Sequence, residues 1–377
     1  TQSRSSAASD VYKRQVYAGA AGKEFFWSRV MSTRSIFPDL NEVQHVAVIG
    51  TGLIGAGWVA EFLLRGLKTT VWDPAPGFEG RLMGQLQDIF SRLHVDQDHQ
   101  ARCLGALNFA ENIEAAAASA QFVQENGPEN LQVKRGILEE LARAVPPDVV
   151  IASSASGLPM TELQQGCLNP ERLVIGHPFN PVYMIPLVEI VAGRLTGAET
   201  VTWVEEFYRS LGKAPVVCDR ENVGFIANRL QEALFREALH MVKAGDATVG
   251  QIDDVVRYGL GLRWAFMGPF LSYHLAGGRE GLSGFFERFG ETISEPYSRL
   301  KAPELSQELI DSVLDQGELA FGGQSIEDAE QWRDDCLSQI LALSNREGGM
   351  YRVQRQQPGE QVCCTKPPSD GISDNVC

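Results

Sequence analysis

The segment Gly50-Thr51-Gly52-Leu53-Ile54-Gly55 carries three glycines in the order G-x-G-x-x-G, and an acid, Asp73, follows 23 residues after Gly50. In such a pattern Gly50 permits a tight turn. Gly52 lets the backbone approach a pyrophosphate, and Gly55 lets a helix pack on a strand. Leu53 and Ile54 then open that helix, whose free N–H groups and positive dipole end suit phosphates. An acid at this distance accepts hydrogen bonds from both ribose hydroxyls and repels a 2′-phosphate. Pro74, not an arginine, comes next, so the expected cofactor is NAD and not NADP.

His177 lies in Gly176-His177-Pro178-Phe179-Asn180-Pro181, and Glu189 lies within the apolar run 185–191. A carboxylate flanked so heavily by aliphatic side chains must be paired, because burying it alone costs several kcal/mol or more. His177 is the natural partner. A histidine paired in this way can take a proton near neutral pH, since the acid fixes its tautomer and stabilises the imidazolium. Oxidising an alcohol with NAD needs one such base to remove the hydroxyl proton as hydride leaves. Ser153, Ser154 and Ser156 follow an earlier apolar run, another place for polar groups that touch a substrate.

These residues need a scaffold. His45-Val46-Ala47-Val48-Ile49 reads as a buried strand, and the helix after the glycines presents Leu53, Ile54, Trp58, Phe62 and Leu63 on one face. A second strand, residues 69–73, closes on the acid. Further strands are expected at 121–125, 149–152 and 173–176, with a helix over 129–144 between the first two. Strands alternating with helices imply a parallel sheet with ligands at the carboxyl ends of its strands. From about residue 222 the pattern is wholly helical, with candidates at 225–244, 249–258, 281–289, 305–318 and 325–343. The expected fold is therefore α/β, a Rossmann-type doubly wound parallel sheet over 44–224 followed by an all-helical C-terminal domain over 225–345. Residues 1–43 and 346–377 show no sustained period and read as extensions outside the fold.

Composition narrows the partners. The 377 residues carry a net charge of −15, with 44% hydrophobic and 21% charged residues. A chain this acidic has no general grip on phosphate backbones or anionic membranes. No apolar run reaches the length of a membrane span. Seven cysteines with no C-x-x-C pair argue against a disulfide framework or a zinc ribbon. A cytoplasmic protein with a small-molecule substrate and no metal is expected.

Within 263–273, Arg263, Trp264, Phe266, Phe270 and Tyr273 crowd around a Met-Gly-Pro turn. Two readings stay open: an aromatic core, or a cage that holds a quaternary ammonium by cation–π attraction, with Tyr183 as a further wall.

The segments GTGLIGAGW, ENLQVK, SSASG, GHPFNP, PLVEIV and GFIANRL occur in this order, and the chain thereby resembles the 3-hydroxyacyl-CoA dehydrogenase family over roughly 44–345. The resemblance implies that His177 is the general acid/base and that Glu189 orients it. It also implies that Ser156 and Asn228 hydrogen-bond the reacting oxygen, and that Glu129, Lys134 and Asn180 contact the cofactor. It implies a homodimer as well. The stretches GLRWAFMGPFLSYHLAGG and GGQSIEDAEQWRDDCL look most like the branch of that family that oxidises L-carnitine, in which case Arg263 is a candidate partner for the substrate carboxylate. The same region is similar to L-gulonate 3-dehydrogenase and lambda-crystallin proteins. A 3-hydroxyacyl-CoA substrate and a non-catalytic structural role also stay open, and the intact set of Ser156, His177, Glu189 and Asn228 argues against the structural role.

Overall fold

The computed structural model describes residues 36–265 and 267–293, together with 306–309, 311, 312, 315, 331 and 334–340. Val46, Ala47, Val48 and Ile49 are buried on both faces of strand β1 (His45–Ile49), as a central strand of a covered sheet requires. The chain then alternates α1 (Leu53–Leu64), β2 (Lys68–Trp72), α2 (Phe78–Arg92), α3 (Gln97–Gly105), β3 (Leu107–Phe109), α4 (Ile113–Ala117), β4 (Phe122–Glu125), α5 (Leu131–Ala144) and β5 (Val150–Ser153). It continues through α6 (Met160–Leu163), β6 (Leu173–Pro178), β7 (Leu187–Val191), α7 (Ala198–Ser210) and β8 (Ala214–Cys218).

The eight strands form one sheet in the order β3-β2-β1-β4-β5-β6-β7-β8. The chain winds outward from β1 to β3, then returns to β4 and winds the other way, so the order reverses between β1 and β4. A crevice outside the carboxyl ends of the strands at such a reversal is where open α/β sheets bind ligands. One hydrophobic cluster, built around Trp58, Phe62, Phe122 and Phe207, covers one face, and another around Leu138, Leu141 and Met160 covers the other.

The sheet departs from the all-parallel expectation at one place: β7 runs antiparallel to β6. The link 179–186 is shorter than the dozen or so residues that a parallel crossover needs, so the chain turns back beside the strand it has just left. That reversal sets His177 directly opposite Glu189.

Beyond the sheet the described residues are helical: α8 (Ala227–Ala244), α9 (Val249–Val255), a π-helical turn (Val256–Leu260), α10 (Gly261–Trp264), α11 (Pro269–Ala276) and α12 (Gly281–Ile293). Helix α8 stops at Gly245, whose φ of +75° suits glycine. Helix α9 starts with a capping box between Thr248 and Gln251. The helices expected over 305–318 and 325–343 fall partly outside the described residues, and the terminal extensions fall wholly or mostly outside them.

Candidate active site

The glycine turn has the tightness its spacing implies. Gly50 adopts φ +87°, and a Cβ there would stand 2.7 Å from the carbonyl oxygen of Asn126. A Cβ on Gly55 would meet the Gly50 carbonyl oxygen at 1.9 Å, so the helix start and the turn touch through bare backbone. At Gly52 the opposite holds: a Cβ would meet nothing within 4 Å. Gly52 is also the N-cap of α1 and supplies no side-chain cap to the first amides of the helix, at Leu53 and Ile54. An uncapped helix end beside an open cradle fits the pyrophosphate of a dinucleotide.

Asp73 stands just past β2 with its carboxylate turned to the same turn. Its Oδ2 accepts from the Thr51 amide at 2.7 Å and the Thr51 hydroxyl at 3.1 Å, and its Oδ1 accepts from the Ala75 amide at 2.9 Å. The acid therefore braces the glycine turn.

Glu129 and Ser156, far apart in sequence, are brought together. The Oε1 of Glu129 accepts from the amides of Ser156, Gly157 and Leu158 at 3.0, 2.7 and 3.3 Å, and from the Ser156 hydroxyl at 3.4 Å. Lys134 points elsewhere. It is 1% exposed, and its ammonium binds both oxygens of buried Glu125, at 3.1 and 3.0 Å. Glu125 also accepts from the Ser153 hydroxyl and the Gly127 amide. Lys134, expected to contact the cofactor, is held in this structure by a buried ion pair that fixes the loop after β4. Asn180 is exposed and borders a pocket that Leu53 also lines.

The histidine and carboxylate singled out in the sequence lie on β6 and β7. His177 lies within β6, one residue before its end, and not after the strand. Its Nδ1 is 2.9 Å from Oε2 of Glu189. The other oxygen of Glu189 accepts from the amides of Ile226 and Ala227, both at 2.9 Å. Helix α8 has no side-chain cap of its own, so Glu189 caps it from the sheet while holding the imidazole. Burial works to raise the Glu189 carboxyl, but the bond to His177 and the two backbone amides outweigh it and hold the group below its ordinary value. An ionised carboxylate facing Nδ1 places the ring proton there, which leaves the Nε2 lone pair as the basic position.

The imidazole is steered by two rings, Phe179 and Phe225, whose centroids lie 5.3 and 5.4 Å away in edge arrangements. Phe225 takes φ +48°, a costly conformation for a bulky residue. Asn228 follows one residue after Ala227, so the helix start that grips Glu189 also carries Asn228. Sequence reasoning missed the two amides and the flanking rings. Backbone groups have no residue signature, and the only available signal was the uncapped start of the helix after Gly224.

The aromatic segment is not assembled as a cage among the described residues. Trp264 is 41% exposed, Phe270 75% and Tyr273 52%, and no ring pair joins them to one another. Tyr273 packs instead against Phe285 in a tilted arrangement, with ring centroids 4.6 Å apart. Phe266 lies outside the described residues. Arg263 is exposed on α10. Tyr183 stands apart from this group, with its hydroxyl donating to Asp334 at 2.9 Å.

Comparison with known proteins adds a second line. The family model described as 3-hydroxyacyl-CoA dehydrogenase, NAD binding domain, matches residues 45–222, and the model of that family's C-terminal domain matches 224–315. The chain is 48% identical over 306 residues to an L-carnitine dehydrogenase of Streptomyces coelicolor, across 81% of this chain and 96% of the relative. It is 47% identical over 305 residues to an L-carnitine dehydrogenase of Streptomyces griseus, across 81% and 91%. Among solved structures it is similar to a 5-formyl-3-hydroxy-2-methylpyridine 4-carboxylic acid 5-dehydrogenase described as an NAD+ dependent dismutase. That match has 28% identity and a TM-score of 0.67, and covers 80% of this chain and 97% of the other.

Proposed function

This chain belongs to the 3-hydroxyacyl-CoA dehydrogenase family, and from that premise we propose that its reaction is the NAD-dependent oxidation of the 3-hydroxyl of L-carnitine to 3-dehydrocarnitine. The observation that carries the chemistry is the His177–Glu189 pair, buried, 2.9 Å apart and anchored to the start of α8. The substrate follows from relatives nearly half identical to this chain that carry that activity in their names.

When bound, NAD supplies the hydride acceptor. Gly50, Gly52, Gly55 and the amides of Leu53 and Ile54 would hold its pyrophosphate, Asp73 its adenosine ribose, and Glu129 and Asn180 the nicotinamide side. Lys134 acts at one remove, by fixing Glu125 and the Gly127 loop beside Gly50. His177 takes the hydroxyl proton on Nε2 while the hydrogen on C3 leaves with its electron pair, and the C–O bond becomes the ketone. Glu189 stabilises the imidazolium so formed. Ser156, positioned by Glu129, and Asn228 hydrogen-bond the oxygen. Because the reaction releases a proton, oxidation gains with rising pH and the reverse reduction is favoured nearer neutrality.

The working unit in this reading is a homodimer. Helix α8 contains no buried residue although its side chains segregate by polarity, and Leu230 and Phe235 are 60% and 57% exposed. A second copy of the chain is the partner that an apolar helical face of this kind suits. We place the protein in the cytoplasm. The cysteines among the described residues, Cys103, Cys167, Cys218 and Cys336, are free, and none of the described helices is long and apolar enough to cross a membrane.

A parallel assay tests the proposal. With NAD present, NADH absorbance should rise with L-carnitine and stay flat or nearly so with L-gulonate and 3-hydroxybutyryl-CoA. Turnover confined to the thioester, or to L-gulonate, overturns the carnitine assignment. Silence with all three favours a non-catalytic role.

A further inference from the structure

The turn that leads into α8 runs against the steric preference of one of its residues. Gly224 takes φ +74° and Phe225 takes φ +48°, and Ile226 then returns to the right-handed region at φ −102° and ψ −53°. A positive φ is ordinary for glycine, but for a bulky side chain it crowds Cβ against the backbone carbonyl oxygen. Phe225 is nonetheless 2% exposed and belongs to the hydrophobic cluster that also contains Ile175 and Val191. The link before it is pinned as well. The Oε1 of Glu221 accepts from the Thr161 amide at 2.7 Å, and the Phe225 amide donates to the Asn222 carbonyl at 3.1 Å. Strain of this kind persists where the surroundings over-determine it, and it gathers at functional sites.

A left-handed residue followed by a right-handed one turns successive amides to the same side and makes a cradle for an anion. Here the amides are those of Ile226 and Ala227, and the anion is Oε1 of Glu189, 2.9 Å from each. The other oxygen of Glu189 faces Nδ1 of His177, and the Phe225 ring meets the imidazole at 5.4 Å between centroids. Resting on the reading of His177 as general base above, we propose that Phe225 is a positioning residue whose left-handed backbone closes the cradle on Glu189 and so confines the imidazole proton to Nδ1. With the cradle closed, one carboxylate oxygen is anchored and the other is presented to the ring, which leaves Nε2 free to accept. If Phe225 relaxed to a negative φ, the two amides would turn away. Glu189 would then lose bonds that offset its burial, and the ring proton would no longer be held on one nitrogen.

Phe225→Gly and Phe225→Val separate this role from packing. Both lose the ring. Glycine adopts a positive φ freely, whereas β-branched valine resists it. Packing alone ranks valine above glycine, because valine fills more of the space, and the cradle ranks them the other way. The kcat for L-carnitine oxidation should be about tenfold higher in Phe225→Gly than in Phe225→Val, with KM values for L-carnitine and NAD within about threefold of each other. Nitrogen NMR of protein labelled in its histidines, with His177 assigned from His177→Gln, reads the tautomer at a pH where the ring is neutral. The wild-type chain and Phe225→Gly should carry the proton on Nδ1, and Phe225→Val should show a mixture with Nε2. Where Phe225→Val has no cooperative unfolding transition, Phe225→Ala replaces it, with an expected gap of about fivefold in the same direction. A valine or alanine variant at least as active as the glycine variant overturns the proposal, and so does one tautomer shared by all the variants. If the wild-type chain does not oxidise L-carnitine while the tautomer follows the variants as stated, the positioning role stands and the proposed reaction fails.

Discussion

Replacing His177 with alanine lowers kcat for L-carnitine oxidation by about 10³-fold, within the range set by losing a positioned general base. NAD affinity, read by titration of the cofactor, changes by less than about twofold, because the glycine turn and Asp73 lie on other strands. His177 is 6% exposed and packs against two phenylalanine rings, so the alanine variant leaves a void. His177→Gln fills more of that space and should lose activity to a similar extent. If both variants lose NAD binding along with their cooperative unfolding transition, the imidazole is a packing residue and the mechanism is wrong. If either retains more than about a tenth of wild-type kcat, another group takes the proton.

Glu189→Gln is the second large effect, and its cause is subtler. The carboxamide oxygen can still accept the amides of Ile226 and Ala227, so α8 keeps its cap. The amide nitrogen then faces His177 and donates to Nδ1, which moves the ring proton to Nε2. A ring protonated at Nε2 cannot take the hydroxyl proton. The expected loss in kcat is about 10³-fold with KM changed far less, in line with amide substitutions of a histidine-orienting carboxylate. Stability should respond to pH with a definite sign. The carboxyl is held lower in the folded chain than its ordinary value, so the stabilisation it gives is fully present above that ordinary value and is lost as pH falls through the lowered one. Urea unfolding of the two proteins should therefore show a gap of about 1–3 kcal/mol near neutrality that narrows in acid. A gap that widens in acid would contradict the assignment of Glu189 as an ionised, hydrogen-bonded partner.

The first strand, the glycine turn and the second strand were legible because their signals are local. An apolar run, three glycines and an acid lie within thirty residues, and each imposes a steric or electrostatic demand that few other arrangements satisfy. The His177–Glu189 pair was legible for a different reason, since a carboxylate in an aliphatic run requires a partner. What escaped depends on contacts that leave no residue pattern. The reversal of β7 was implicit in the short link 179–186, but reading it required knowing that no helix intervenes. The edge strands β3 and β8 are short or largely exposed and show little of the burial that marks a central strand. The ion pair of Lys134 with Glu125 left no local signal, because the two belong to different elements and only the fold brings them to 3.0 Å. The aromatic segment 263–273 left two readings open, a core or a cage. Trp264, Phe270 and Tyr273 are close in sequence and stand exposed among the described residues, which neither reading anticipates.

The central claim is that the hydrogen on C3 of L-carnitine passes to NAD while an imidazole takes the hydroxyl proton. L-carnitine carrying deuterium at C3 tests it most directly, with the reduced cofactor examined by mass spectrometry and proton NMR. The account predicts one deuterium on C4 of the nicotinamide ring for each 3-dehydrocarnitine formed, with none released to water. NADH free of deuterium, or label found in solvent, would contradict it.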